Sequence, residues 1–180
     1  PAGAPARRLF VSFEACDYAC NVSLDGVPVG RHVGGNTPFR VEITSAVLMR
    51  GDTTHTLEVR VEDATSGTQL RGKQSLLPGG IWYTRVSGIW QSVWFEALPT
   101  THFEDLVVTT SPRAPSITVA PLLARGDDFS RAFVVEAAAR DASGAVVATA
   151  REMAGAPLTL RLEPGSVTLW SVERPYLYTL

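Results

Sequence analysis

Gly79-Gly80-Ile81-Trp82-Tyr83-Thr84-Arg85-Val86-Ser87-Gly88-Ile89-Trp90-Gln91-Ser92-Val93-Trp94-Phe95-Glu96 decides how the rest of the chain is read. It holds three of the four tryptophans and starts in a glycine pair. Glycine reaches backbone conformations closed to other residues, so Gly79, Gly80 and Gly88 allow sharp bends. From Ile89 to Phe95 five of seven residues are β-branched or aromatic, which suits a pleated strand. Ile89, Val93 and Phe95 lie on one face and Trp90 and Trp94 on the other. A strand apolar on both faces is usually buried between two layers. The stretch therefore predicts a central, buried strand, entered from a bent, aromatic-rich loop, with Trp90 and Trp94 in the core.

Upstream, the pattern is that of more strands. Residues 7–15 place Leu9, Val11 and Phe13 on one face. In residues 19–24, Cys20, Val22 and Leu24 alternate with Asn21 and Ser23. Asp25-Gly26 then marks a tight hairpin, because such turns need positive φ. Residues 27–33 form the return strand, and Pro28 within it predicts an edge or a bulge. Phe39, Val41 and Ile43 alternate with Arg40 and Glu42. Residues 44–54 read as a turn-rich connection with Arg50-Gly51-Asp52 at a bend, and residues 56–61 as a strictly alternating strand. Residues 63–80 form a long loop without a clear element, and loops of that length are often functional.

Downstream, Leu98-Pro99-Thr100-Thr101 reads as a short linker, after which alanine and valine rise. Strands are expected over residues 103–110, 117–123, 133–140, 145–150 and 158–162. Arg125-Gly126-Asp127-Asp128 and Asp141-Ala142-Ser143-Gly144 are the turns among them. Residues 170–180 resemble a further strand. Short strands at such spacing suggest a β-sandwich. No helix is expected. Alanine in residues 133–140 favours helix, but the alternation there fits a strand at least as well.

The totals agree with this. The 180 residues fit one or two domains. A formal net charge of −2 gives no footprint for nucleic acid. No apolar run approaches the length that spans a bilayer, so no membrane partner is expected. Sixteen basic residues include a single lysine, Lys73, in the long loop. Cys16 and Cys20 are too few for a disulfide scaffold or a four-cysteine zinc site. They are expected as small, buried, free thiols, with a local disulfide as the alternative. His32, His55 and His102 lack metal-ligand spacing, and neither metal nor cofactor is expected. There is no Gly-x-Ser-x-Gly turn, no His-Glu-x-x-His and no phosphate loop. By residue type alone the chain is a two-part all-β protein without a visible catalytic set.

Four stretches, in order, resemble the non-catalytic N-terminal region of glycoside hydrolase family 2, which includes β-galactosidases, β-glucuronidases and β-mannosidases. They are Asn21-Val22-Ser23-Leu24-Asp25-Gly26-Val27-Pro28-Val29-Gly30, His32-Val33-Gly34-Gly35-Asn36-Thr37-Pro38-Phe39, Ser87-Gly88-Ile89-Trp90-Gln91-Ser92-Val93-Trp94-Phe95-Glu96 and Leu169-Trp170-Ser171-Val172-Glu173-Arg174-Pro175-Tyr176-Leu177-Tyr178. The resemblance implies a jelly-roll, sugar-binding β-sandwich over residues 1–98, lacking its first strands. An immunoglobulin-like β-sandwich would follow over residues 99–180. It also implies retaining hydrolysis of β-glycosides by two glutamates. Both would lie in a barrel beyond Leu180, so no catalytic residue is assigned here and the chain alone is expected to be inactive.

Substrate contact from outside that barrel is the remaining role. In galactosidases and glucuronidases of the family an acidic residue stands six positions before the glycine of the Ser/Ala-Gly-Ile motif. Here that position is Trp82, a departure that argues against carrying over either specificity. Trp82 could instead stack on a sugar face, the alternative being that it packs in the sandwich or against the barrel. Arg71, Lys73 and Gln74 resemble a charged loop of one bacterial subgroup and could donate hydrogen bonds to hydroxyls. The implied partners are a β-glycoside carbohydrate, the barrel of the same chain and a homo-oligomer. A cytoplasmic location follows from the absence of a visible signal peptide and from free cysteines. The competing readings are a free-standing carbohydrate-binding module without hydrolase activity and a surface adhesion protein of stacked sandwiches.

Overall fold

The computed structural model describes residues 7–50, 53–124 and 132–180. The expected bend at Gly51-Asp52 and the polar turn at Arg125-Gly126-Asp127-Asp128 lie outside these residues. The chain divides into two compact units, Pro1–Pro99 and Thr100–Leu180. Strand residues make up 52% of the described residues and helix 4%, so the expected all-β class holds.

The first unit runs through β1 (Arg7–Phe13), β2 (Cys16–Asp17), β3 (Ala19–Leu24), β4 (Val27–Val33) and β5 (Phe39–Glu42). Helix α1 (Thr44–Arg50) follows, then β6 (Leu57–Glu62), β7 (Gln74–Ser75), β8 (Tyr83–Thr84), β9 (Gly88–Ile89) and β10 (Val93–Pro99). Two three-stranded antiparallel sheets, ordered β10-β1-β5 and β4-β3-β6, carry the core. Val11 and Phe13 of β1 and Val41 of β5 meet Val22 and Leu24 of β3, all buried. Alternation explains this, since residues two apart share a face and each sheet turns one apolar row inward. Each such side chain contributes about 1.5–3 kcal/mol on burial. Phe13 stacks on Phe39 at 4.7 Å, and His32 covers the other side of that ring at 4.2 Å.

The hairpin at Asp25-Gly26 forms as expected, with φ of 51° and 80° at the two turn residues. Its ladder shifts register between Val22 and Ser23, opposite Gly30 and Pro28, so the bulge and edge position predicted from Pro28 are both present. Gly30 is needed for space: a Cβ there would lie 2.1 Å from Val41 Cγ1.

The central-strand expectation is overturned. The tryptophan stretch breaks into β9 and β10, separated at Trp90-Gln91-Ser92. Ser92 turns back instead, accepting from Glu14 N at 3.0 Å and donating its own N–H to Glu14 Oε2 at 3.3 Å. Among the described residues β10 pairs with β1 alone, so β1 is the central strand and β10 an edge. Trp90, Trp94 and Phe95 are 51%, 40% and 66% exposed and therefore lie outside the core. Apolar composition on both faces reported what the strand can bury, not what covers it.

Two further expectations fail. Residues 44–50 form a helix, although none was expected. Ala46, Leu48, Met49 and Arg50 suit a helix, but the element is two turns long and buries Ala46 alone, too short to show a period. Thr44 fastens its start to β1: its hydroxyl accepts from Leu9 N and donates to Glu42 Oε1, both at 2.8 Å. Cys16 and Cys20 are bridged, not free. Their Cα atoms stand 6.5 Å apart, within the span a disulfide accepts, and both are fully buried.

The second unit holds β11 (His102–Ser111), β12 (Ser116–Ala124), β13 (Val134–Arg140), β14 (Val146–Met153) and β15 (Leu158–Arg161). Sheet β11-β12-β15 and hairpin β13-β14 share a core of Ile117, Val119, Ala139, Leu160 and Leu162. The alternating alanines of β13 face those of β14, Ala137 opposite Ala150 and Ala139 opposite Ala148. Asp141 closes the hairpin, its Oδ1 accepting from Ser143 N, Ser143 Oγ and Ala145 N at 2.6–3.0 Å. The strand expected over residues 170–180 does not form. Pro175 lacks an N–H, Ser171 and Arg174 close a turn, and only Thr179 bridges to Arg140. Tyr176 and Tyr178 are instead held by their hydroxyls, which accept from Ala142 N at 3.2 Å and Thr168 N at 3.0 Å.

Candidate functional site

The long loop of the first unit is organised by an aspartate that pattern reading passed over. Asp63 follows β6. Its Oδ1 accepts from Thr65 N at 3.0 Å and from Gln69 Nε2, and its Oδ2 accepts from Ser87 Oγ. One carboxylate therefore ties both ends of residues 63–87. Burial pushes its pKa up, but the hydrogen bonds from Ser87, Gln69 and Thr65 outweigh that and hold it below the ordinary value.

The predicted contact residues divide within this loop. Arg71 Nη1 donates to Thr65 O at 2.9 Å, so Arg71 braces the loop. Gln74 Oε1 accepts from Val86 N at 2.5 Å, and β7 pairs in parallel with β8, Gln74 opposite Tyr83. Lys73 accepts Tyr83 N at its backbone carbonyl and is itself exposed. Trp82 closes a tight reversal with Gly79, each N–H donating to the other's carbonyl at 3.1 Å, and its side chain is 44% exposed. The loop thus shows Lys73 and Trp82 to solvent while Arg71 and Gln74 hold it together.

Beside the loop is an open cavity of about 240 Å³, lined by Asp17, Asn36, Gln74, Val86, Ser87 and Trp90. Of the four residues predicted to bind, only Gln74 lines it. Trp90 Nε1 donates to Gly35 O at 2.7 Å, which fixes the ring. Asp17 Oδ1 is buried and has no hydrogen-bond partner among the described residues. Burial first, and the charge of Asp63 second, raise the Asp17 pKa above its ordinary value. Gly35 leaves room for the Asp17 side chain, since a Cβ there would come within 2.4 Å of Oδ1. Asp17 also lies between the bridged cysteines, so β2 and β9 hold it at the cavity. Its only sequence signal was an acid flanked by two cysteines. Asn36 lay inside a quoted motif without a chemical role. No group of three or more metal-ligating side chains is present among the described residues.

The described residues thus form two β-sandwich units, the first with an acid-braced loop beside a polar cavity. No family model matches the chain. It is 30% identical to a β-galactosidase of Halalkalibacterium halodurans over 96% of its length and 16% of the relative's. It is 27% identical to a β-galactosidase of Clostridium acetobutylicum over 97% of its length and 18% of the relative's. In structure it resembles the β-glucuronidase of Parabacteroides merdae, with TM-score 0.73, 20% identity, and coverage of 99% of this chain and 24% of that one. A glycosyl hydrolase family 2 member from Bacteroides cellulosilyticus gives TM-score 0.69 at 23% identity, covering 96% and 23%. At such identities the structural likenesses establish fold. Together with the sequence relatives they bear out the resemblance to glycoside hydrolase family 2 over nearly the whole chain. The chain spans 16–23% of the length of four β-galactosidases that it matches.

Proposed function

We propose that the chain is the non-catalytic N-terminal portion of a retaining β-glycoside hydrolase. The observation that carries this is the match of nearly the whole chain to about a fifth of several β-galactosidases. Residues 1–98 act as the sugar-binding jelly roll and residues 99–180 as the immunoglobulin-like support. A barrel of the same polypeptide supplies the two glutamates. Lys73 and Trp82, both exposed on a braced loop, reach the glycoside, Trp82 by stacking and Lys73 by hydrogen bonding. Arg71 and Gln74 act chiefly by holding that loop.

The disulfide removes one support for a cytoplasmic location, since such bonds persist in oxidising compartments. No helix among the described residues is long and apolar enough to cross a membrane. A homo-oligomer remains part of the proposal through the exposed edge of β10.

The test uses chromogenic β-glycosides. The parent polypeptide is expected to hydrolyse at least one with retention, and the 180-residue chain none. In the parent, Trp82→Ala is expected to raise KM by about tenfold and Lys73→Ala by less, with kcat little changed. Turnover by the pure chain overturns the non-catalytic assignment. A parent inactive on the whole panel overturns the glycosidase reading.

A further inference from the structure

The cavity beside the loop has the chemistry of a small, separate ligand site. Asp17 Oδ1 is a buried acceptor without a donor. It lies against Gly35, where a Cβ would come within 2.4 Å of it. Buried acceptors are normally satisfied, and an exception in a cavity marks a place where a donor can arrive. Gln74 spends its Oε1 on Val86 N, which leaves its NH2 group as a donor. Asn36 stands exposed at the rim with both an acceptor and a donor. Trp90 is fixed by its bond to Gly35 O and still leaves half its surface in solvent. One acceptor, amide donors and a fixed aromatic face match a ring that bears hydroxyls on its edge and C–H bonds on its face.

Other ligand classes fit less well. A hard cation wants about six or more oxygen ligands. Both carboxylate oxygens of Asp63 are already committed to Thr65, Gln69 and Ser87, so Asp17 would stand nearly alone. An anion would meet the Asp17 carboxylate, with the charge of Asp63 close by. The volume, about 240 Å³, lies below that of typical sites for larger organic ligands, which limits the occupant to about one ring.

We infer that the Asp17–Asn36–Gln74–Trp90 cavity binds a single pyranose, with Asp17 Oδ1 accepting from a sugar hydroxyl and the Trp90 ring covering a C–H face. The site is distinct from the exposed Lys73 and Trp82 tips. It stands on the cavity alone and does not depend on hydrolysis by the parent.

The experiment is calorimetric titration of the chain with galactose, glucose, mannose and glucuronate, followed in parallel by tryptophan fluorescence. One sugar is expected to bind at a single site and shift the emission. Asp17→Asn and Asn36→Ala are expected to weaken it by about tenfold or more, and Trp82→Ala and Lys73→Ala by less than about twofold. Circular dichroism checks folding. Should Asp17→Asn unfold, Asn36→Ala, at an exposed position, carries the test. Three results overturn the inference: no sugar binds, binding tracks Trp82 or Lys73 and ignores Asp17 and Asn36, or calcium chloride alone binds and sugars do not. A parent that hydrolyses glycosides while the chain ignores every sugar removes this site and leaves the glycosidase reading intact. A parent that hydrolyses nothing leaves the site standing.

Discussion

Asp25 and Asp63 do the same work in two places on the first unit. In the β3–β4 hairpin, Asp25 accepts from Thr56 N through Oδ1 and from His55 Nδ1 through Oδ2, both at 2.7 Å, and its own carbonyl accepts from Arg50 at 3.0 Å. In residues 63–87, Asp63 gathers Thr65, Gln69 and Ser87. The hairpin turns in two residues, and the carbonyl and both carboxylate oxygens of Asp25 are used. Beside the long loop, Asp17 Oδ1 is left buried without a hydrogen-bond partner among the described residues. A short turn can thus be closed by one acid, whereas a long loop braced by one acid leaves unspent hydrogen-bonding capacity, the raw material of a ligand site.

The contrast can be broken first at its glycines. On the hairpin side Gly30→Val drives side-chain atoms into Val41 and is expected to cost about 2–3 kcal/mol. On the loop side Gly72→Ala meets open space, with only its φ of +57° to strain, and is expected to cost about 1 kcal/mol. Denaturant unfolding of both variants reads the difference, and equal losses would show that the hairpin is no more tightly packed than the loop.

A smaller effect is expected from Asp63→Ala, about 1.5 kcal/mol for its charge-assisted hydrogen bonds. Hydrogen exchange would place that loss: residues 65–87 should lose protection while β3 and β4 keep theirs. Protection lost equally in both would mean that Asp63 supports the whole unit.

The smallest effect is on pH dependence. Asp25 is held below its ordinary pKa, first by the Thr56 N–H and then by His55, and Asp63 is held low as described. Their contribution is present above the unfolded value of about 3.9 and is lost as pH falls through the lower folded values. Asp17 runs the other way. Its raised pKa favours the folded state below the unfolded value, and that gain is lost as pH rises through the folded one. Unfolding midpoints from pH about 7 to about 2 should therefore fall less steeply than Asp25 and Asp63 alone require. In Asp17→Asn the fall should steepen. An unchanged slope would show that Asp17 titrates as it does in the unfolded chain.

The strands of both units were legible because their signals are local. Cys20, Val22 and Leu24 alternate within one strand, and Asp25-Gly26 names its own turn. The partners of Asp63 come from two, six and twenty-four residues away without periodicity, so no window contains them. Helix α1 is shorter than the window that would show its period. The disulfide hid because a spacing of four is compatible with bridged and free cysteines alike. Trp90 and Trp94 were misplaced for a different reason: a side chain's wish to be buried is written in its own chemistry, but the surface that buries it belongs to another element. The contact loop was legible by its length and its lone lysine, whereas Asp17 and Asn36 became visible only once β2, β7 and β9 had brought them to one cavity.

The bare edge of β10 has a practical side. Among the described residues its outer side, along Val93, Trp94 and Phe95, has no strand partner, and the run carries no lysine. Such edges recruit further strands. For the isolated chain, solubility and not melting temperature will set the concentration at which it can be handled, and a charge placed at Phe95 is the first remedy to try.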